Sequence, residues 1–171
     1  MPSTKEIVTK IRSVQSTQKI TRAMEMVAAS KMRKAQEKMK ASRPYSERIR
    51  EVIDHITQGK LEYKHSYTII RDIKSVGYLI ISTDRGLCGG LNVNLFKIVL
   101  SSIFEYSKKN IDIKISVIGK KGVGFFSKFC GKLISIKVGS GDKANSQDFI
   151  GVVKAMLDLY ENLFIDKLYL A

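Results

Sequence analysis

The sequence is poor in cysteine, histidine and proline, with two of each in 171 residues, and it holds no long apolar run. Cys88 and Cys130 lie far apart and in no C-x-x-C arrangement, which excludes a disulfide framework and a cysteine-built zinc site. They read as reduced, structural thiols, as expected in a reducing compartment. His55 and His65 stand alone, so no metal cluster or catalytic triad forms around them. No stretch reaches the ~18 consecutive apolar residues that a membrane-spanning helix needs. The first residues, Met1-Pro2-Ser3-Thr4-Lys5-Glu6, lack the apolar core of a secretory signal, and Glu6 and Glu25 argue against an acid-free transit segment. A protein that stays in the compartment of its synthesis is the expectation.

What is present is charge and helical pattern. The formal net charge is +14, from 30 Lys and Arg against 16 Asp and Glu, and the apolar fraction of 44% is high enough for a core. The excess is uneven: residues 1–43 carry eleven basic side chains against three acidic ones, Glu6, Glu25 and Glu37. The partner of this segment should be anionic, whether an acidic protein surface, a nucleic acid or an acidic membrane surface.

The same segment is built of strong helix formers, with no glycine before Gly59 and only Pro44 inside it. Ser3-Thr4-Lys5-Glu6 reads as a capping box. Ile7, Ile11 and Val14 recur at helical spacing. Ile20, Met24, Val27, Ala28 and Ala35 are read as continuing that stripe, and Ile49, Val52, Ile53 and Ile56 follow after Pro44. These features predict a nearly continuous helix over about residues 4–57, kinked at Pro44 and stopped by Gly59. Such a helix is roughly 80 Å long at about 1.5 Å per residue. The other ~100 residues make a globule only about 35 Å across. Six wet apolar side chains, Ile7, Ile11, Val14, Ile20, Met24 and Val27, would then forfeit on the order of 10 kcal/mol, as much as the stability of a domain. A partner helix is required, and Ala23, Ala28, Ala29, Ser30 and Ala35 allow close approach.

Beyond Gly59 the period changes. A polar linker over 59–75 leads to an α/β region over 76–171. Strands are expected at 76–82, 112–118, 133–138 and from 167 onward. Helices are expected at 94–108, around Phe125, Phe126 and Phe129, and at 147–163. The inward faces are read as Leu95, Ile98, Val99, Ser102 and Ile103 in the first helix and Ile150, Val153, Met156, Leu157 and Tyr160 in the last. Strand alternating with helix implies a parallel sheet of βαβ units. The sequence stops within the last strand, so this domain reads as incomplete.

Three glycine-rich segments are candidate sites. Gly139-Ser140-Gly141-Asp142-Lys143-Ala144 matches G-x-G-x-x-A but follows the third strand, not the first, and reads as a loop and not a dinucleotide site. Gly119-Lys120-Lys121-Gly122 lacks the G-K-[ST] of a phosphate loop. Asp84-Arg85-Gly86-Leu87-Cys88-Gly89-Gly90 sits at the carboxyl end of the first strand, where α/β sheets place ligands. Cys88 has no neighbouring base to activate it, so a subunit contact is the better reading than catalysis.

Lys19-Ile20-Thr21-Arg22-Ala23-Met24-Glu25-Met26-Val27-Ala28-Ala29-Ser30-Lys31-Met32 and Ser82-Thr83-Asp84-Arg85-Gly86-Leu87-Cys88-Gly89-Gly90-Leu91-Asn92 together resemble the gamma subunit of bacterial F-type ATP synthases. The likeness runs through the whole chain, including Gly119-Lys120-Lys121-Gly122 and Phe125-Phe126.

The resemblance implies the fold: a long N-terminal helix over 1–58, half of an antiparallel coiled coil, plus a Rossmann-like α/β domain that is incomplete at its C-terminal end. It implies the function of a central rotor stalk that couples proton flow to ATP synthesis or hydrolysis, with no active site, metal or cofactor of its own. It implies as partners the alpha and beta subunits, the epsilon subunit and the membrane c-ring, with no nucleic acid and no membrane insertion. Lys19, Arg22, Met24, Val27 and Lys31 would face the alpha and beta subunits. Asp84, Arg85, Gly86, Leu87, Cys88, Gly89 and Gly90 would lie near epsilon or the c-ring. The location implied is peripheral, on the cytoplasmic face of the bacterial inner membrane. Members of the family continue past the end of this chain into the partner helix, so the chain reads as truncated. The alternative reading is a nucleic-acid-binding α/β protein that uses the basic helix. A free-standing dehydrogenase would need dinucleotide binding.

Overall fold

The computed structural model describes residues 3–58, 65–131, 133–139 and 147–171. The chain divides into two compact units, Met1–Tyr63 and Lys64–Ala171.

Among its described residues the first unit forms one helix, α1 (Thr4–Gln58), of 55 residues. Its start is half of the expected capping box: the Glu6 carboxylate reaches back and accepts from the Ser3 N–H at 2.8 Å. The helix passes through Pro44. Around that break in the hydrogen-bond ladder, Arg43 pairs with Glu47 at 3.0 Å, and one turn on Arg48 pairs with Glu51 at 2.8 Å. Gly59, expected to stop the helix, lies outside the described residues.

No described residue of α1 is buried, and its six leading apolar side chains are 46% to 64% exposed. They do not form one stripe. At 3.6 residues per turn, Ile20, Met24 and Val27 are rotated from Ile7, Ile11 and Val14 by about two-fifths of a turn. A spacing of six residues between Val14 and Ile20 carries the pattern round the helix, and this offset is invisible when each segment is judged by its own local repeat.

The second unit runs β1 (Ser75–Ile81), α2 (Leu91–Lys108), β2 (Asp112–Ile118), α3 (Lys120–Cys130), β3 (Ser135–Lys137), α4 (Gln147–Glu161) and β4 (Lys167–Leu170). The strands form one parallel sheet in the order β3-β2-β1-β4. β1 pairs along its full length with β2, from Ser75 opposite Asp112 to Ile81 opposite Ile118. Six successive β1 residues are buried because helices cover both faces of this strand, which explains its unbroken apolar run.

Successive β1 side chains go to opposite faces. Val76, Tyr78 and Ile80 pack with Ile115 and Val117 under Phe96, Val99 and Ile103 of α2 and Phe126 of α3. Leu79 and Ile118 pack on the other side with Val152 of α4. Gly77 lies on that side too: a Cβ there would come within 2.8 Å of both Met156 and Ile165, so glycine lets α4 sit close to the sheet.

Val99, Ile103 and Met156 face inward as expected, but the rest of each inward face differs. In α2 the buried set is Phe96, Val99 and Ile103, while Ile98 is 71% exposed. In α4 the buried residues are Val152 and Met156, while Ile150 is 57% exposed and Val153 also reaches solvent. Each helix carries an apolar band wider than the strip the sheet can cover. Contact with the sheet, including the bare backbone of Gly77, selects which part goes inside.

Residues 65–74, polar in sequence, are tied to the second unit. Arg71 donates to the Tyr160 carbonyl at 2.9 Å and lies 4.3 Å over the Tyr160 ring. The Tyr67 hydroxyl donates to Glu161 at 2.5 Å, and the Asp166 carboxylate accepts from the N–H groups of Lys74 and Ser75, each at 2.9 Å.

Candidate interaction site

The segment leaving β1 does not behave as a free loop. Helix α3 follows Gly119, which offers no side chain to cap it. Its first amides are instead satisfied by the β1 exit, residue against residue in reverse order. Asp84 Oδ1 accepts from Lys120 N at 2.8 Å, the Thr83 carbonyl from Lys121 N at 3.0 Å, and Ser82 Oγ from Gly122 N at 2.8 Å. The first bond within the helix is Val123 N to the Gly119 carbonyl at 3.1 Å. The orphan donors that every helix start exposes are thus met by a segment some 36 residues earlier in the chain. The Asp84 carboxylate at this end also complements the helix dipole.

The fit is close. A Cβ at Gly119 would lie 2.2 Å from the Ser82 carbonyl oxygen, and Gly119 has φ 103°. A Cβ at Gly122 would lie 2.7 Å from Ser82 Oγ. Asp84 Oδ1 also accepts from Gly139 N at 3.4 Å, so it touches the exit of β3 as well. These backbone approaches account for the Gly119-Lys120-Lys121-Gly122 pattern without a phosphate ligand.

The remainder of the loop is held from α2. Asn92 accepts from Thr83 N at 3.2 Å and donates to Thr83 Oγ1 at 2.8 Å and to Cys88 Sγ at 3.2 Å. Thr83 Oγ1 in turn donates to the Arg85 carbonyl at 2.6 Å. Cys88 is a partly buried thiol in this web. Leu87 is fully exposed at φ 65°, a conformation that costs a non-glycine residue energy. Arg85, Gly86, Gly89 and Gly90 are exposed beside it.

Beyond the loop an open groove of about 920 Å³ runs between α2 and α3. Val93, Phe96, Leu100, Phe125 and Phe129 give it an apolar floor, Lys97, Lys120, Lys121 and Lys128 line it, and among the described residues no carboxylate does. The rings interlock: Phe96 stacks on Phe125 at 4.8 Å and meets Phe126 edge-on at 5.2 Å. An apolar floor with a cationic rim suits a protein contact bearing acidic side chains. The groove was not anticipated from sequence. The signal was there in the lysines and phenylalanines of α3, but their convergence with α2 required the packed pair.

The other residues singled out lie in the first unit. Met24, Val27 and Lys31 share one side of α1, spaced i, i+3, i+7; Lys19 and Arg22, one turn apart, lie on a different side. Of the G-x-G-x-x-A match, Gly139 has φ 75°, and residues 140–144 lie outside the described residues. Among the described residues no group of three or more His, Cys, Asp or Glu is placed to hold a metal ion, and no helix is long and apolar enough to cross a membrane.

The described residues thus form two units, a long amphipathic helix with no buried residue and a parallel α/β unit. The family model described as ATP synthase matches residues 3–171, and the chain belongs to that family, at its gamma subunit. Two solved structures share the fold. One is the rotor of the Euglena gracilis mitochondrial ATP synthase in rotational state 1, with 19% identity and a TM-score of 0.56 over 90% of this chain and 52% of that one. The other is the OSCP/F1/c-ring assembly of the same enzyme in rotational state 3, with 18% identity and a TM-score of 0.52 over 90% of this chain and 47% of that one. The chain thus spans about half the length of the structures it matches.

Proposed function

We propose that this chain serves in the central rotor stalk of an F-type ATP synthase, as a non-catalytic gamma subunit that couples proton flow to nucleotide chemistry carried out on the alpha and beta subunits. The observation that carries the reading is the match to the family over residues 3–171, joined to a 55-residue helix with no buried residue. A helix of this length with apolar side chains on two sides is suited to enclosure by other subunits. Its excess of positive charge favours acidic walls. On this reading Lys19, Arg22, Met24, Val27 and Lys31 contact the alpha and beta subunits. Asp84 to Gly90, with the groove beside them, meet the epsilon subunit or the c-ring. The chain would then be peripheral to a bacterial inner membrane, on its cytoplasmic face.

The test is reconstitution. The chain is combined with alpha and beta subunits, and ATP hydrolysis is measured with and without it. Stimulation is expected, together with co-migration of the three subunits. Failure to assemble with alpha and beta would overturn the reading. The rival use of the basic helix, nucleic-acid binding, has no observation in its favour; it predicts tight duplex binding that weakens steeply with salt.

A further inference from the structure

We propose that the loop after β1 is a detachable cap for α3, so that contact made on residues 85–90 is transmitted to the wall of the α2–α3 groove. Three observations carry this. First, the amides of Lys120, Lys121 and Gly122 are all held by Asp84, Thr83 and Ser82, and the helix supplies no cap of its own. Second, α3 is only 11 residues long and contains Gly122 and Gly124, so its first turn has little intrinsic tendency to stay helical. Third, the loop that supplies the cap presents Leu87, Arg85 and Gly89 to solvent, and the Lys121 stem would lie 3.7 Å from a Cβ at Gly86.

A partner that draws Asp84 outward removes the acceptor from Lys120 N and from Gly139 N together. The first turn of α3 then loosens, and with it the positions of Lys120, Lys121 and Phe125 along the groove. Phe126, buried against Phe96 in the core, keeps the far part of the helix in place. The linkage is reciprocal: an occupant that fixes α3 in the groove also fixes the loop. The biological use of the device rests on reading residues 84–90 as a subunit contact, but the coupling is a property of this chain and is measured without partners.

The experiment is amide hydrogen exchange on the full chain with Asp84→Ala, Asp84→Asn and, as a control, Arg85→Ala. Asp84→Ala is expected to speed exchange at Lys120, Lys121, Gly122 and Gly139 about ten-fold. The Phe125 ring signals should shift, and exchange at Ile80 and Val117 in the core strands should stay as in the parent. Asp84→Asn, which retains an acceptor oxygen, should lie between the two, and Arg85→Ala should match the parent. If Asp84→Ala changes Lys120 and Gly139 alone, leaving Lys121, Gly122 and the Phe125 ring untouched, the loop is a local cap without transmission and the proposal falls. It falls equally if Asp84→Ala keeps the core strands protected and leaves all four amides at parental rates. A normal result here with failed assembly in reconstitution would sink the subunit-contact reading and leave the coupling standing.

Discussion

Gly119 and Ser82 meet backbone to backbone: the space a side chain would need at Gly119 is filled by the Ser82 carbonyl, 2.2 Å from where its Cβ would stand. The contact joins the end of β2 to the end of β1 and sets where α3 begins. Gly119→Ala combines that clash with a φ of 103° and should destabilise the α/β unit by about 2–4 kcal/mol. Gly124→Ala, in the same helix but with nothing within 4 Å of its Cβ, should instead stabilise by about 0.5–1 kcal/mol. Urea denaturation of both variants checks the pair, and equal effects of the two would contradict the geometry.

Two phenylalanines of α3, Phe126 and Phe129, should differ sharply in cost. Phe126 is fully buried, whereas Phe125 and Phe129 line the open groove. Phe126→Ala should cost about 3–5 kcal/mol. Phe129→Ala should cost below about 1 kcal/mol, as expected for a surface position. Thermal unfolding of the two variants separates core from contact surface.

The tyrosine pair beside β4 should titrate apart. The hydroxyls of Tyr106 and Tyr169 lie 2.8 Å apart. The bond to Tyr169 and then burial push Tyr106 up to about 12, while Lys167 and then the bond from Tyr106 hold Tyr169 below the ordinary tyrosine value of 10.0. A raised acid is neutral in the fold, so its contribution to stability is complete below pH 10 and disappears as pH rises towards 12. Tyr169 has the opposite sign: its contribution is present above its unfolded value and fades as pH falls through its lowered one. Tyr106→Phe should flatten the alkaline loss of stability and move the titration of Tyr169 upward. Ultraviolet titration of the tyrosinate band reads both, and an unmoved Tyr169 would show that the hydroxyl pair does not govern it.

Apolar positions on α1 should matter to assembly and not to the α/β unit. Ile11 is exposed, so Ile11→Gln should change the unfolding of residues 65–171 by no more than ~0.5 kcal/mol. In reconstitution with alpha and beta subunits it should weaken co-assembly. A marked loss of stability in the isolated chain would show that the stripe is already used within it.

The sequence by itself determined the long helix, the order of strands and helices, and the parallel class of the sheet, because these follow from local repeats and from glycine and proline punctuation. The span of β2, Asp112–Ile118, was legible to the residue. It also determined the family, since the segments around Met24 and Asp84 are specific strings. Tertiary structure alone decided which edge of each helix faces inward. Ile98 and Ile150 have the same hydrophobicity as buried neighbours, and only the sheet's limited width leaves them in water. Tertiary structure also decided the role of Asp84, whose partners at Lys120 and Gly139 are 36 and 55 residues away and are brought together by strand pairing. The loop after β1 thereby caps a helix that has no side-chain cap of its own.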